Sequence, residues 1–341
     1  MADFEKVVVV TRKTALEELV ERHNTRDQAR FYVAQMARTR SAPSRAAAVT
    51  RSVQQQQPPN QPVAGDFPEY EQAHETYRRA LETVRAAIPS GTRSQFIERS
   101  FLPNFVFGEN DLVVTLGQDG LVVNTAKYLN HQPLVALNPD PEHIDGILIP
   151  FYARAAHLIL PSVLSRPFAS KQIRMAKAEL NDGQSLYAVN DLFIGQKTHQ
   201  SARYRLELDD QGEDQSSSGI IISTGAGSTG WFRSILTGAA ETVLTMTGLE
   251  EARTVRDVYR FDWEADYLRF SVREPFVSRT TGATLVSGVI TADQSMEIIS
   301  QMPQNGVIFS DGIEEDYLAF NSGAIASIRL AEKRVNLVTN V

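Results

Sequence analysis

The sequence predicts two parts, an amino-terminal α/β domain and a carboxy-terminal, mostly antiparallel β domain. Up to about residue 140, apolar strand patterns alternate with amphipathic helix patterns, which is typical of α/β domains. Beyond about residue 150, short runs alternate apolar and charged residues, as at Tyr204, Leu206 and Leu208, and a period of two indicates half-buried strands. We expect domains at 1–150 and 151–341, since 341 residues are enough for two.

The first half contains eight recognisable elements and one insertion. A buried strand is predicted over 6–11, and Thr14 with Glu17 forms a capping-box pattern that begins a helix. Residues 39–66 are rich in Ser, Gln, Pro and Ala, and we expect them to form a flexible insertion because they offer little to bury. A helix follows over 70–88, where apolar residues recur every three to four positions. The remaining patterns predict short strands at 96–100 and 104–107, a buried strand at 111–116, a helix at 122–129 and a strand at 134–138.

Composition excludes several classes of function. The chain has 34 Lys and Arg against 41 Asp and Glu, a net charge of −7, which disfavours nucleic-acid binding because that binding depends on many cationic contacts to phosphate. There is no cysteine, so disulfides and thiolate metal sites are excluded. With six histidines and no HExxH spacing, we expect no metal site built from protein side chains alone.

Neither a secretory signal nor a membrane span is predicted. The amino terminus carries Asp3 and Glu5 where a signal peptide has positive charge. The longest apolar stretch, 146–164, is interrupted by Pro150, Arg154, His157 and Pro161, and a span needs about 20 mainly apolar residues. We therefore expect a cytoplasmic protein that does not bind membranes.

The first candidate for chemistry is the turn Gly117-Gln118-Asp119-Gly120, which follows a buried strand and precedes a helix. Glycine allows a sharp turn and leaves backbone N–H groups open to an anion, and a helix amino terminus favours negative charge. Asp119 would lie beside a bound phosphate, where it could orient a hydroxyl or accept its proton. The alternative is an ordinary Asp-Gly turn.

A second candidate is the stretch from Thr224 to Gly230, in which only Gly, Ala, Ser and Thr occur between a strand pattern and a helix pattern. Small side chains, free N–H groups and hydroxyls are suited to holding phosphate. Gly225, Gly227 and Gly230 also satisfy G-x-G-x-x-G, which leaves open a Rossmann oxidoreductase. That alternative requires a parallel βαβ unit around residue 225.

Two acidic segments complete the set. Asn190 and Asp191 interrupt an apolar, strand-like run, and buried polar residues need partners, which favours a hydrogen-bonding site over the alternative of a bulge or turn. Ser310-Asp311-Gly312 follows another strand pattern. We interpret it as a hairpin corner.

In this order, the four segments resemble the motifs of the NAD kinase family, whose superfamily includes diacylglycerol and sphingosine kinases. The family pattern is GGDG, an Asn-Glu pair, a T-x-x-G-S-T-x-Y-like stretch and a late S-D-G. Further similarity, to the divergent mitochondrial-type NAD kinases in particular, covers 138–141, 190–195, 273–275 and 321–327.

The resemblance implies transfer of a phosphoryl group from ATP, with Mg²⁺ on its phosphates, to the adenosine ribose 2′-hydroxyl of NAD, giving NADP. By position, Asp119 would orient or deprotonate that hydroxyl, Gly117 and Gly120 would shape the loop, and Asn190 and Asp191 would hold the acceptor. The remaining positions are those of the glycine-rich stretch: Thr224, Gly227, Ser228 and Thr229 at the phosphate-facing turn, and Gly230, Trp231 and Ser234 beside the acceptor. The family also implies a homodimer or homotetramer formed through the carboxy-terminal domain.

Departures from the family pattern keep other functions open. Gln118 replaces the second Gly of GGDG and Leu121 replaces the usual Thr. If residue 118 had a positive φ, its side chain would add about 1 kcal/mol of strain. A kinase of the same fold acting on a lipid or sugar, and a non-catalytic NAD(P)-binding regulatory protein, are therefore alternatives, and the donor could be ATP or polyphosphate.

Overall fold

The structure, a computed structural model, describes residues 4–41, 67–256 and 258–341. It divides into two compact units. The first comprises Met1–Thr125, Val135–Ala169 and Thr339–Val341, and the second comprises Ala126–Leu134 and Ser170–Val338. Of the predicted insertion at 39–66, residues 39–41 end a helix, and the rest lies outside the described residues.

The first unit is built on a parallel sheet. Its elements are β1 (Lys6–Thr11), α1 (Ala15–His23), α2 (Arg26–Ser41), α3 (Phe67–Ala87), β2 (Ser94–Glu98), β3 (Asp111–Leu116), α4 (Asp119–Ala126), β4 (Pro133–Asn138), β5 (Phe151–Tyr152) and α5 (Ala156–Ser165). β1 pairs in parallel with both β2 and β3, and β4 pairs in parallel with β5. The four valines Val7 to Val10 are fully buried, as expected for a strand covered on both faces.

Local signals explain where two of the helices begin. The Thr14 hydroxyl accepts the Glu17 N–H, and the Glu17 carboxylate accepts the Thr14 N–H at 2.7 Å, which confirms the capping box. α4 begins at Asp119 and not at the predicted residue 122, because the Gln118 carbonyl already accepts the N–H groups of Leu121 and Val122. The helix therefore starts within the Gly117–Gly120 turn.

Two features of the first unit differ from the prediction. α2 was not predicted; its Ala29 and Val33 pack with Phe67 in a small apolar cluster, a tertiary contact that its weak periodicity did not reveal. The strand predicted at 104–107 is wrong, since the chain forms a 3₁₀ helix at Arg99–Asn104 and then irregular structure. Pro103 lies in that helix, and proline has no N–H to donate to a strand ladder.

The second unit consists mainly of antiparallel strands. They are β6 (Ala169–Leu180), β7 (Ser185–Ala188), β8 (Asp191–Gln196), β9 (Ala202–Leu208), β10 (Gln211–Ser217), β11 (Ile220–Ser223), β12 (Tyr267–Val272), β13 (Ser287–Thr291), β14 (Met296–Ser300), β15 (Gly306–Ser310), β16 (Ile313–Ala319) and β17 (Ile325–Asn340), with the helix α6 (Trp231–Thr247) after β11. One sheet has the order β13-β12-β11-β8-β15-β16, and in another β10, β9, β14 and β17 are successive neighbours.

The core of this unit is one apolar cluster that draws on both sheets, with Tyr204 from β9 and Phe270 from β12 among its fully buried side chains. The α/β unit and the antiparallel β unit together confirm the predicted fold class. No described helix combines the length and the apolar content needed to cross a bilayer.

We expect Tyr77→Phe to destabilise the first unit. The buried Tyr77 hydroxyl on α3 accepts the Arg12 N–H at 3.0 Å and donates to the Leu116 carbonyl at 3.1 Å, so it ties the ends of β1 and β3 to the helix. Removal would leave both backbone groups unpaired, and the free energy of unfolding should fall by about 1–3 kcal/mol in urea denaturation. Tyr152→Phe, at a tyrosine that is 45% exposed, is the matched control and should change stability little.

Candidate functional site

The candidate site in the second unit is centred on Asn190 and Asp191, where the turn after β7 meets the start of β8. Asp191 and Phe193 lie two residues apart on one strand, and therefore on the same face of the sheet. The alternate residues, Leu192 and Ile194, point into the apolar core. The Asn-Asp pair thus lies at the start of a strand whose opposite face is buried in the apolar core.

The glycine-rich turn after β11 packs directly on this pair. The Thr224 N–H donates to the Asn190 carbonyl at 2.9 Å, and the Thr224 hydroxyl contacts the carbonyls of Val189 and Asn190. The Ser228 hydroxyl donates to the Gly225 carbonyl at 2.7 Å. Thr224 and Ser228 are fully buried, so these two hydroxyls hold the turn in place.

Glycine is required in this turn by close backbone approach. A Cβ at Gly227 would lie 2.0 Å from the Asn190 carbonyl oxygen, and one at Gly225 would lie 1.9 Å from the Asp262 carbonyl oxygen. Contacts below 3.0 Å with backbone cannot be relieved by moving a side chain. The pattern Gly-x-Gly therefore serves here to bring three stretches of main chain together.

Asp311 completes the site: it lies at the hairpin corner between β15 and β16, as the sequence predicted, but its contacts with Asn190 and Asp191 were not predicted. Its carboxylate accepts the N–H groups of Val189, Asn190 and Asp191 at 3.1, 2.7 and 3.3 Å. Its backbone has a φ of 57°, a conformation that side chains other than Asn and Asp rarely adopt. The sequence signal was an acid directly after a strand, but only the pairing of β15 with β8 brings it to Asn190.

Two carboxyls and one cation determine the electrostatics. Burial, with a smaller effect of the Asp311 charge, raises the pKa of Asp191 to about 7. Burial also raises the pKa of Asp311, but Lys127 and the three backbone N–H groups oppose that rise. Lys127 is itself buried and donates to the Ser310 hydroxyl at 2.7 Å. Burial thus raises the pKa of both carboxyls, and the donors that favour the ionised form cluster on Asp311.

An aromatic stack lies at the start of α6. The Trp231 ring is nearly parallel to that of Phe193, with 5.6 Å between centroids, and Phe309 stacks on Phe193 at 4.7 Å. The Arg273 guanidinium lies 5.2 Å from the Trp231 ring centre. Gly230 and Ser234 are exposed, and Thr229 is partly buried, so the predicted residues of this segment run from the buried turn to an accessible surface.

Asp119 and its neighbours belong to the first unit. Its two carboxylate oxygens accept the N–H groups of Ile147 and Leu148, each at 2.9 Å. Gly117 is buried at the end of β3 and Gly120 is exposed in the first turn of α4. Gln118 has no positive φ, so the strain considered for that position does not arise.

The structure thus brings Asn190, Asp191, Thr224, Gly227 and Ser228 together and adds Asp311. The Rossmann alternative is wrong, because β11 pairs antiparallel with both β8 and β12. No parallel βαβ unit surrounds residue 225, and the G-x-G-x-x-G spacing there has a different structural meaning.

Two solved structures share this fold. The crystal structure of yeast NADH kinase complexed with NADH aligns with 98% of this chain and 84% of its own, with a TM-score of 0.55 and 13% identity. An NAD kinase from Archaeoglobus fulgidus in complex with ATP aligns with 98% of this chain and 94% of its own, with a TM-score of 0.53 and 14% identity. No protein-family model and no curated protein sequence matches the chain. The chain therefore has the NAD kinase fold, as the resemblance predicted.

Gly227→Ala should disrupt the turn. The added Cβ would overlap the Asn190 carbonyl, and we expect the free energy of unfolding to fall by about 1–3 kcal/mol, as for other overpacked sites. Gly238→Ala in α6 is the control, since nothing lies within 4 Å of its Cβ position, and it should raise stability by about 0.5–1 kcal/mol. Equal stability of the two variants in urea denaturation would contradict the close approach.

The raised pKa of Asp191 predicts that the free energy of unfolding depends on pH. Because the folded pKa of about 7 lies above the ordinary value of 3.8, the native state binds this proton more tightly than the unfolded state does. The contribution is full below pH 3.8 and is lost as pH rises through about 7. The variant Asp191→Asn cannot titrate at this position. Between pH 3.8 and about 7 its free energy of unfolding should therefore rise relative to that of the wild type, and above pH 7 the difference should stay constant. Urea denaturation across pH would detect this trend, and a pH-independent difference would exclude it.

Proposed function

We propose that this chain is an NAD kinase that transfers the γ-phosphoryl group of ATP to the adenosine ribose 2′-hydroxyl of NAD, giving NADP. The observation that carries the proposal is the convergence of Asn190–Asp191, the turn of residues 224–230, and Asp311 in the second unit. Three of the four motif segments, far apart in sequence, thereby form one site. The NAD kinase fold supports the same function.

In this proposal, Asn190 and Asp191 hold the acceptor dinucleotide. A carboxamide offers both donors and acceptors, and a protonated carboxyl does so too, which suits the hydroxyl and amide groups of a dinucleotide. The acceptor would extend past Thr229 and Gly230 towards Trp231 and Ser234. Thr224, Gly227 and Ser228 would contribute the shape of the turn.

Asp119 takes the role of base in this proposal. Each oxygen of a carboxylate has two lone pairs, so the bonds to Ile147 and Leu148 leave acceptor capacity on both. As the 2′-oxygen bonds to the γ-phosphorus, the bond from that phosphorus to the β–γ bridging oxygen breaks and ADP leaves. The hydroxyl proton passes to Asp119. Gly120, which is exposed, leaves the main chain beside it accessible, and the buried Gly117 shapes the loop.

Mg²⁺ is expected to be held chiefly by the donor phosphates. No group of three or more His, Asp or Glu side chains in the described part of the chain could hold a metal ion. Phosphate-bound Mg²⁺ often has few protein ligands, so the residues present are compatible with a metal that arrives with ATP. It would neutralise charge on the transferring phosphoryl group.

The proposal also includes the finer expectations from sequence. These are a kinship with mitochondrial-type NAD kinases, a cytoplasmic location, and a homodimer or homotetramer formed through a dinucleotide-binding domain at 151–341. ATP is the proposed donor, with polyphosphate as the alternative.

A second candidate is a non-catalytic NAD(P)-binding regulatory protein. It is favoured by the two backbone hydrogen bonds of Asp119, which would give this carboxylate a purely structural role in fixing the 147–148 loop. Tight NAD binding without turnover would support it. A same-fold kinase acting on a lipid or sugar remains the other alternative, since Leu121 is buried where the family usually has Thr.

Asp119→Asn distinguishes catalysis from loop anchoring. With ATP, Mg²⁺ and NAD, the wild type should form NADP, and the variant should be slower by about 10²–10⁴-fold, the usual contribution of a general base. NAD affinity, measured by calorimetry, should be unchanged, because Asn190 and Asp191 are intact.

Asp145→Asn is the matched control, since Asp145 is an exposed acid two residues before Ile147 and its charge can be removed without breaking a contact. It should retain wild-type activity. If the wild type forms no NADP from ATP or polyphosphate, the kinase proposal is wrong.

A further inference from the structure

Three successive backbone N–H groups, those of Val189, Asn190 and Asp191, converge on one point. Such an arrangement forms an anion-binding concavity that in many proteins accepts a phosphate. Here the concavity is filled from within the chain, by the Asp311 carboxylate. The Asp311 N–H in turn donates to the Asp191 carbonyl at 2.9 Å, so the two segments are bound in both directions.

The same stretch of backbone is also held on its carbonyl side. Thr224 contacts the Asn190 carbonyl through its N–H and its hydroxyl, and Gly227 packs against that oxygen. By contrast, no side chain in the described ranges donates a hydrogen bond to the carboxyl of Asp191, and the Asn190 carboxamide is partly exposed. The main-chain contacts therefore decide where these two side chains lie.

Lys127 places a positive charge beside this arrangement. It follows α4 directly, belongs to the second unit, and its side chain is 5% exposed. Its ammonium donates to the Ser310 hydroxyl at 2.7 Å and lies 3.6 Å from the half-exposed Asp316 carboxylate. Its positive charge favours the ionised form of the neighbouring Asp311, and an ionised carboxylate is a stronger acceptor for three N–H donors than a neutral carboxyl.

We propose that Asp311 and Lys127 are positioning residues for the acceptor site: Asp311 fixes the Val189–Asp191 backbone so that Asn190 and Asp191 meet the acceptor in one orientation, and Lys127 holds the hydroxyl of Ser310 and so the turn that carries Asp311. This inference rests on the proposed function, and it adds two residues to the acceptor site that do not themselves touch the ligand. The left-handed backbone of Asp311 then serves to direct its carboxylate at the three N–H groups.

The variant Asp311→Asn tests the inference. An amide has the shape of a carboxylate, but it lacks the charge and its NH₂ group cannot accept an N–H donor, so the three-way contact is broken. We expect the KM and the calorimetric Kd for NAD to rise about tenfold or more, which corresponds to the loss of one hydrogen bond to a charged group. The kcat and the KM for ATP should change less than about twofold, because the transferring groups are elsewhere.

Three further variants make the test specific. Lys127→Met should weaken NAD binding in the same direction, and if that variant does not fold, the double variant Lys127→Met/Asp311→Asn leaves no unpaired buried charge. Asp316→Asn is the matched control, because it removes the other acid beside Lys127 and should leave the KM for NAD within about twofold of the wild type. A residue that only stabilises the fold would lower the active fraction, and so kcat, without moving KM.

The inference is overturned if Asp311→Asn binds NAD as the wild type does while NADP is still formed. It stands, and the kinase proposal alone fails, if the wild type binds NAD without forming NADP and the variant binds it about tenfold more weakly. If the wild type does not bind NAD, both are wrong.

Discussion

The candidate site depends on the contact between the Asp311 carboxylate and three successive backbone N–H groups, those of Val189, Asn190 and Asp191. Without it, these donors would face a buried region unpaired, and each unpaired buried donor costs about 1–3 kcal/mol. The contact also makes the two neighbouring carboxyls unlike each other. Burial raises the pKa of both, and only Asp311 has three N–H donors and the charge of Lys127 to oppose that rise.

The glycine-rich turn is held together without charged side chains, in a chain of net charge −7. At Gly225 and Gly227 a backbone carbonyl oxygen lies within 2.0 Å of the position that a Cβ would occupy. The hydroxyls of Thr224 and Ser228 hold the turn by hydrogen bonds to backbone carbonyls. The N–H groups of Thr224, Gly227, Ser228 and Gly230 donate within the protein, so the turn's own hydrogen bonds fix its shape. A net charge of −7 disfavours nucleic-acid binding but does not exclude a local phosphate site.

In the first unit, the geometry of one aspartate is compatible with two roles. Asp119 starts α4 and anchors the 147–148 loop through two backbone N–H groups. Those bonds fix the orientation of the carboxylate, which is what a base in phosphoryl transfer needs, since that reaction depends mainly on alignment. The same bonds would also suit a purely structural anchor. The rate of NADP formation by the Asp119→Asn variant therefore distinguishes a kinase from a binding protein, which the geometry alone does not.

The sequence by itself determined the fold class, the capping box at Thr14, the helix after the glycine-rich stretch and the segments that carry polar chemistry, because these depend on local periodicity and on residue types that only particular turns accept. It did not determine α2, whose stability comes from packing on Phe67. It also predicted a strand at 104–107, where the chain ends a 3₁₀ helix that contains Pro103 and then becomes irregular. The spacing of Gly225, Gly227 and Gly230 fitted both a phosphate-holding turn and a Rossmann fingerprint. Only the antiparallel pairing of β11 with β8 and β12 excluded the Rossmann fold. The role of Asp311 needed tertiary structure most, since its three partners lie about 120 residues earlier in the chain. A hydrogen bond between such distant residues depends on the antiparallel pairing of β15 with β8, and no pattern within either segment shows which strands pair.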